Sequence, residues 1–102
     1  MAKYLLAYKG GGMAETPEAQ EAAMNAWMGW FGELGEAVVD GGNPFGPSTA
    51  VASDGSTTTA TAGLTGYSLV DAPSIEAAAK LATGCPVLAS GGTVEVYEAL
   101  PM

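Results

Sequence analysis

The sequence has no histidine, no arginine, three lysines and one cysteine among its 102 residues. Each shortage excludes a class of chemistry. Histidine exchanges protons near neutrality at its ordinary pKa, so a Ser-His-Asp triad and a histidine-ligated metal are ruled out. Arginine clamps carboxylates and phosphates with two parallel hydrogen bonds, so an arginine-lined phosphate pocket is ruled out too. The lone Cys85 allows neither an intramolecular disulfide nor a cysteine-rich metal centre. Neither a metal nor another cofactor is expected, because tight transition-metal sites draw on histidine and cysteine. Positive charge is scarce, at Lys3, Lys9 and Lys80 only, and the net charge is −8. Nucleic acid and anionic membranes both require a positive footprint, so neither is an expected partner. Long apolar runs are missing as well. The opening Tyr-Leu-Leu-Ala-Tyr stretch is too short for a signal-peptide core, and nothing approaches a membrane-spanning length. A lone thiol without a leader suits a reducing compartment, so a cytoplasmic protein is expected.

What is present describes one globular domain over residues 1–102. Hydrophobic residues make up 48% of the chain and charged residues 14%, enough apolar material for a single modest core. Residues 3–9 predict a strand with two apolar faces, Tyr4, Leu6 and Tyr8 on one and Leu5 and Ala7 on the other, as in a central strand. Gly10, Gly11 and Gly12 break it. They resemble a phosphate loop only loosely, since the Lys-Ser/Thr of such a loop is missing and Glu15 and Glu18 would repel an anion. Thr16 as cap and Pro17 at the first position predict a helix over residues 17–37. Its expected buried stripe is Met24, Trp27, Met28, Phe31, Leu34 and Val38, with Trp30 at the edge.

After a Gly/Pro-rich turn over residues 40–47, residues 49–53 predict a short strand, and Asp54-Gly55 a hairpin turn. Residues 56–62 fit a ragged strand or a loop, and residues 66–70 a firmer strand. Ser74 caps a second helix, with Ile75, Ala78, Ala79 and Ala82 facing the sheet and Gly84 ending it. Residues 93–97 alternate as a last strand. The order β-α-β-β-α-β is the ferredoxin-like α+β pattern. Its first and third strands are central in an antiparallel four-stranded sheet, and both helices cover one face. The other face stays apolar, and a second copy of the same sheet is the simplest cover, so a homodimer is expected.

Several segments then fall into a recognisable order. They are Tyr4-Leu5-Leu6, Gly41-Gly42-Asn43-Pro44-Phe45-Gly46, Asp54-Gly55, Leu64-Thr65-Gly66-Tyr67-Ser68, Gly84-Cys85-Pro86-Val87-Leu88 and Gly91-Gly92-Thr93-Val94-Glu95-Val96-Tyr97-Glu98. Together they resemble the YCII-related family over most of the chain. The resemblance implies a dimeric α+β barrel of ferredoxin-like subunits, with enzyme activity attributed to a few members. Relatives with the Cys-Pro segment often carry a histidine where this chain has Val87, and the Asp-Gly-Pro-Phe motif of one branch is missing. The histidine–aspartate dyad proposed for some relatives therefore has no counterpart here.

Six residues are candidates for a ligand site: Asn43, Phe45, Trp30, Tyr8, Tyr67 and Glu95. Asn43 can donate and accept hydrogen bonds, and Phe45 and Trp30 offer ring faces to a planar molecule. Tyr8 and Tyr67, on the central strands, carry hydroxyls that can reach a cavity. Glu95 alternates with valines and should face the dimer side, where a desolvated carboxylate could act as acid or base. Cys85 is expected to be a small buried residue rather than a nucleophile. No catalytic residue is named by the sequence. The expected function is binding of a small apolar or aromatic molecule without the family's histidine-dependent activity. The alternative is a cofactor-free lyase, isomerase or oxygenase-like enzyme acting on such a molecule.

Overall fold

Thr16 and Pro17 start the first helix where the sequence places it. The structure, a computed structural model, describes residues 1–11 and 15–101. Gly12, the last glycine of the expected strand break, lies outside the described residues. These form β1 (Ala2–Lys9), α1 (Pro17–Leu34), β2 (Val38–Asp40), β3 (Ala50–Val51), β4 (Thr57–Thr58), β5 (Leu64–Ala72), α2 (Ile75–Ala82), α3 (Pro86–Ala89) and β6 (Thr93–Ala99). Thr16 is extended, and its Oγ1 accepts the amide of Ala19 at 3.1 Å. The helix stops at Gly35, whose φ of +56° is cheap only for glycine, and a single 3-10 turn leads into β2.

The main sheet is antiparallel, in the order β2-β5-β1-β6. The two apolar segments of the sequence are its central strands, and the helices pack on one face, giving the ferredoxin-like α+β fold. The edge strand next to β5 is not the expected segment. Residues 49–53 contribute only Ala50–Val51, which pair with Thr57–Thr58 in a separate two-stranded sheet. Val38–Asp40 take the edge instead, because the chain meets β5 directly after the 3-10 turn. The following segment then keeps that place. The Tyr67 amide donates to the Asn43 carbonyl at 3.4 Å, the Phe45 amide donates to the Thr65 carbonyl at 2.9 Å, and Pro44 bridges to Gly66. Proline is tolerated there because an edge strand has one unpaired side. Gly42 makes the close approach possible. Its φ is +74°, and a Cβ at that position would lie 1.7 Å from the Tyr67 carbonyl oxygen.

The core lies between the sheet and the helices. Tyr4, Leu6 and Tyr8 of β1 and Val70 and Ala72 of β5 meet Trp30, Ala78, Ala82, Cys85 and Val87. Trp30 is the fully buried side chain of α1, whereas Met24 and Met28 are 64% and 66% exposed. The inward stripe is thus Trp27, Trp30, Phe31 and Leu34, turned away from the expected methionines. Two contacts set this rotation. The Trp30 Nε1–H donates to the Leu81 carbonyl at 3.1 Å, and the ring sits against Gly84, where a Cβ would come within 3.1 Å of it. Val38, expected on the helix, is part of β2.

Ser74 caps α2 as expected, its Oγ accepting from Ala77 at 3.1 Å. The buried face is Ala78 and Ala82, flanked by Ala77 and Leu81; Ile75 and Ala79 are exposed. Thr83, not Gly84, is the C-terminal cap, and Cys85 begins the short α3 that the sequence did not suggest. The molecule measures 44 × 39 × 19 Å, with a radius of gyration of 14.9 Å against about 13 Å for a compact chain of this length. Its thin dimension matches two layers, one of strands and one of helices.

Candidate functional site

An apolar pocket of about 290 Å³ opens between α1, the ends of β1 and β5, and the 41–44 segment. Its wall is aromatic. Tyr8 meets Trp27 edge-to-face at 5.0 Å between ring centroids, and Trp27 lies 5.9 Å from Phe31. Gly41, Gly42, Asn43 and Pro44 close the opposite side, with Gly66 and Tyr67 from β5. Two wider grooves, of about 640 and 860 Å³, run along the other sides of α1 and are more open to solvent.

Below this pocket lies a short chain of hydrogen bonds. The Tyr8 hydroxyl donates to Ser68 Oγ at 2.6 Å, and Ser68 Oγ donates to the Gly41 carbonyl at 2.7 Å. Ser68 is wholly buried, and the chain leaves its hydroxyl satisfied. Burial pushes the Tyr8 hydroxyl up to about 12, against a smaller lowering by its bond to Ser68. The phenol is therefore neutral throughout the physiological range. Burial likewise pushes the Cys85 thiol up to about 11, which makes it a protonated core group and not a nucleophile.

The six candidate residues fall on two sides of the sheet. Tyr8 and Asn43 line the pocket. Trp30 is core, 4% exposed, and stands behind Trp27 at 5.7 Å without lining the pocket itself. Tyr67 pairs in register with Ala7, so its ring belongs to the face opposite Tyr8, although the residue also borders the pocket. Phe45 stacks on that ring at 5.8 Å and is 46% exposed. Glu95 stands opposite Ala7 on the same open face. Its carboxylate accepts the Tyr97 hydroxyl at 2.8 Å and lies 3.6 Å from Lys9 Nζ. That bond and charge raise the Tyr97 hydroxyl above its ordinary range. Leu5, Leu69 and Tyr97 complete the open face, on which no helix packs among the described residues.

Trp27, Phe31, Ser68 and the two glycines of the loop belong to the pocket or its support; the sequence offers Trp27 beside Trp30 as a stacking residue but favours it as core, and the others are not site candidates there. One signal existed. Ser68 shares the inward parity of Val70 in a strand that is otherwise apolar on that side, and a buried hydroxyl must find a partner. Among the described residues no three cysteine or acidic side chains converge as a metal site would require, and no helix is long and apolar enough to cross a membrane.

A ferredoxin-like α+β fold with an aromatic pocket and an open sheet face is the class that these observations define. The family model of the YCII-related domain matches residues 1–102, and the chain belongs to that family. Neither curated proteins nor solved structures give a match.

Proposed function

We propose that this protein binds a small apolar or aromatic molecule in the pocket between α1 and the 41–44 segment, as a cytoplasmic homodimer and without histidine-dependent turnover. The composition of the pocket wall carries this reading. Aromatic rings, glycines and Pro44 enclose it, and its polar side-chain groups include the Tyr8 phenol, the Trp27 indole N–H and the Asn43 carboxamide. Those groups recognise and orient a ligand, while a general acid or base near neutrality needs a pKa that none of them ordinarily has. The volume stands at the small end of ligand pockets, about 300 Å³, which suits one or two rings.

The dimer is supported by surface area. The chain exposes 6877 Å², about 1,600 Å² more than a monomer of its mass ordinarily shows. A standard interface covers about 800 Å² per partner, so a second sheet on the open face fits within that excess. The same face favours a second reading. Lys9, Glu95 and Tyr97 form a row that a partner subunit would desolvate, and a desolvated carboxylate hydrogen-bonded to a phenol has the groups for proton transfer. Under that reading Glu95→Gln abolishes turnover of a ligand and leaves its affinity intact; under the binding reading no turnover exists to lose.

Titration with one- and two-ring aromatic molecules tests the main reading. Trp27→Leu removes one aromatic contact from the wall, and affinity should fall about three- to tenfold, the worth of one ring–ring contact. Unchanged affinity in a folded Trp27→Leu protein would place the ligand elsewhere.

A further inference from the structure

The hydrogen-bond chain under the pocket has a fixed direction, and that direction determines what the pocket can recognise. A carbonyl oxygen can only accept. The 2.7 Å contact between Ser68 Oγ and the Gly41 carbonyl therefore holds the single Ser68 proton. With that proton committed, the 2.6 Å contact between Tyr8 and Ser68 must hold the Tyr8 proton, since two oxygens so close without a proton between them would repel. Tyr8 keeps its proton, because ionisation is pushed up to about 12. What remains on its oxygen is a lone pair. Tyr8 and Gly41, the two ends of this chain, both line the pocket.

We propose that Tyr8 serves the pocket as a hydrogen-bond acceptor only, and that the ligand is a one- or two-ring aromatic molecule carrying a hydrogen-bond donor, a phenolic O–H or a ring N–H. This rests on the pocket being the ligand site and specifies the chemistry that it selects. Part of the backbone around the pocket is closed to a ligand as a donor. The Gly42 amide donates to Asp40 Oδ1 at 2.8 Å, the Tyr67 amide donates to the Asn43 carbonyl, and Pro44 has no N–H. Asn43 is exposed and Trp27 half-buried, so water competes for their polar atoms. A buried group that loses its partner discriminates more strongly than one that water can reach.

Indole and benzofuran are the probes, because they share a shape and differ by an N–H against an oxygen. The wild-type protein should bind indole about tenfold or more tightly than benzofuran. Ser68→Ala frees the Tyr8 proton, so Tyr8 can donate, and the ratio should collapse to near unity or reverse. Tyr8→Phe should bind both alike. Equal affinities in the wild type would overturn the acceptor role while leaving the pocket as a binding site. No binding of either probe would overturn the site and, with it, the selectivity. Should Ser68→Ala fail to fold, the ligand-free protein still decides. A protected Tyr8 hydroxyl proton showing a nuclear Overhauser effect to the Ser68 β-protons is expected, and its absence contradicts the fixed chain.

Discussion

Tyr8 and Cys85 tie the stability of this protein to pH, because both are buried with their protons on. The Cys85 thiol is raised from 9.0 to about 11 and the Tyr8 hydroxyl from 10.0 to about 12, each chiefly by burial. In each case the native state holds a proton that the unfolded chain releases at lower pH. Their stabilising effect is therefore complete below pH 9 and is lost as pH rises, the Cys85 part between 9 and 11 and the Tyr8 part between 10 and 12. Tyr4, raised by burial and by Glu98 and Glu76, acts in the same direction. Urea midpoints should stay level up to pH 9 and then decline, and Cys85→Ala should remove the first part of the decline. A Cys85→Ala protein that follows the wild-type profile between pH 9 and 10 would show that the thiol titrates as an exposed one. Cys85 was legible in the sequence as a buried small residue. The Tyr8–Ser68 pair was not, because its partners lie 60 residues apart and meet only through the β1–β5 register.

At the scale of elements, the local signals performed well and the tertiary choices did not show. Thr16, Pro17 and Ser74 cap their helices as read, and Asp54-Gly55 makes its turn, with Asp54 Oδ1 accepting from the Ser56 amide and hydroxyl. Capping and turn chemistry depend on neighbours a few residues away, which a sequence displays. The identity of the edge strand depends on which segment reaches β5 first, and three residues after a helix carry no strand signature of their own. The face of α1 was ambiguous for a similar reason. Met24 and Met28 continue the same helical spacing as Trp27 and Phe31, and only the Trp30–Leu81 bond and the Gly84 contact decide the rotation. The two caps should differ in effect. Ser74→Ala should lower global stability by about 1 kcal/mol, because α2 is packed on the sheet through Ala78 and Ala82. Thr16→Ala should instead speed amide exchange in the exposed first turns of α1 with a smaller change in the denaturation midpoint. Equal loss in both variants would mean that the start of α1 folds with the core.

The whole molecule is thin, 19 Å in its least dimension, and among the described residues no helix covers one face of its central sheet. Leu5, Leu69 and Tyr97 lie there, with Tyr97 53% exposed. Sedimentation should show a species of twice the 10.1 kDa subunit mass. Leu69→Glu, which puts a buried charge into that contact, should give a folded monomer. A wild-type monomer would remove the dimer. The central claim concerns the pocket, and chemical-shift mapping with indole addresses it most directly. The largest changes should fall on the Trp27 indole N–H and on the amides of Gly42, Asn43 and Gly66, with the open face of the sheet little affected. Changes centred on Leu69, Glu95 and Tyr97 would contradict the account, and so would a spectrum that indole leaves unchanged.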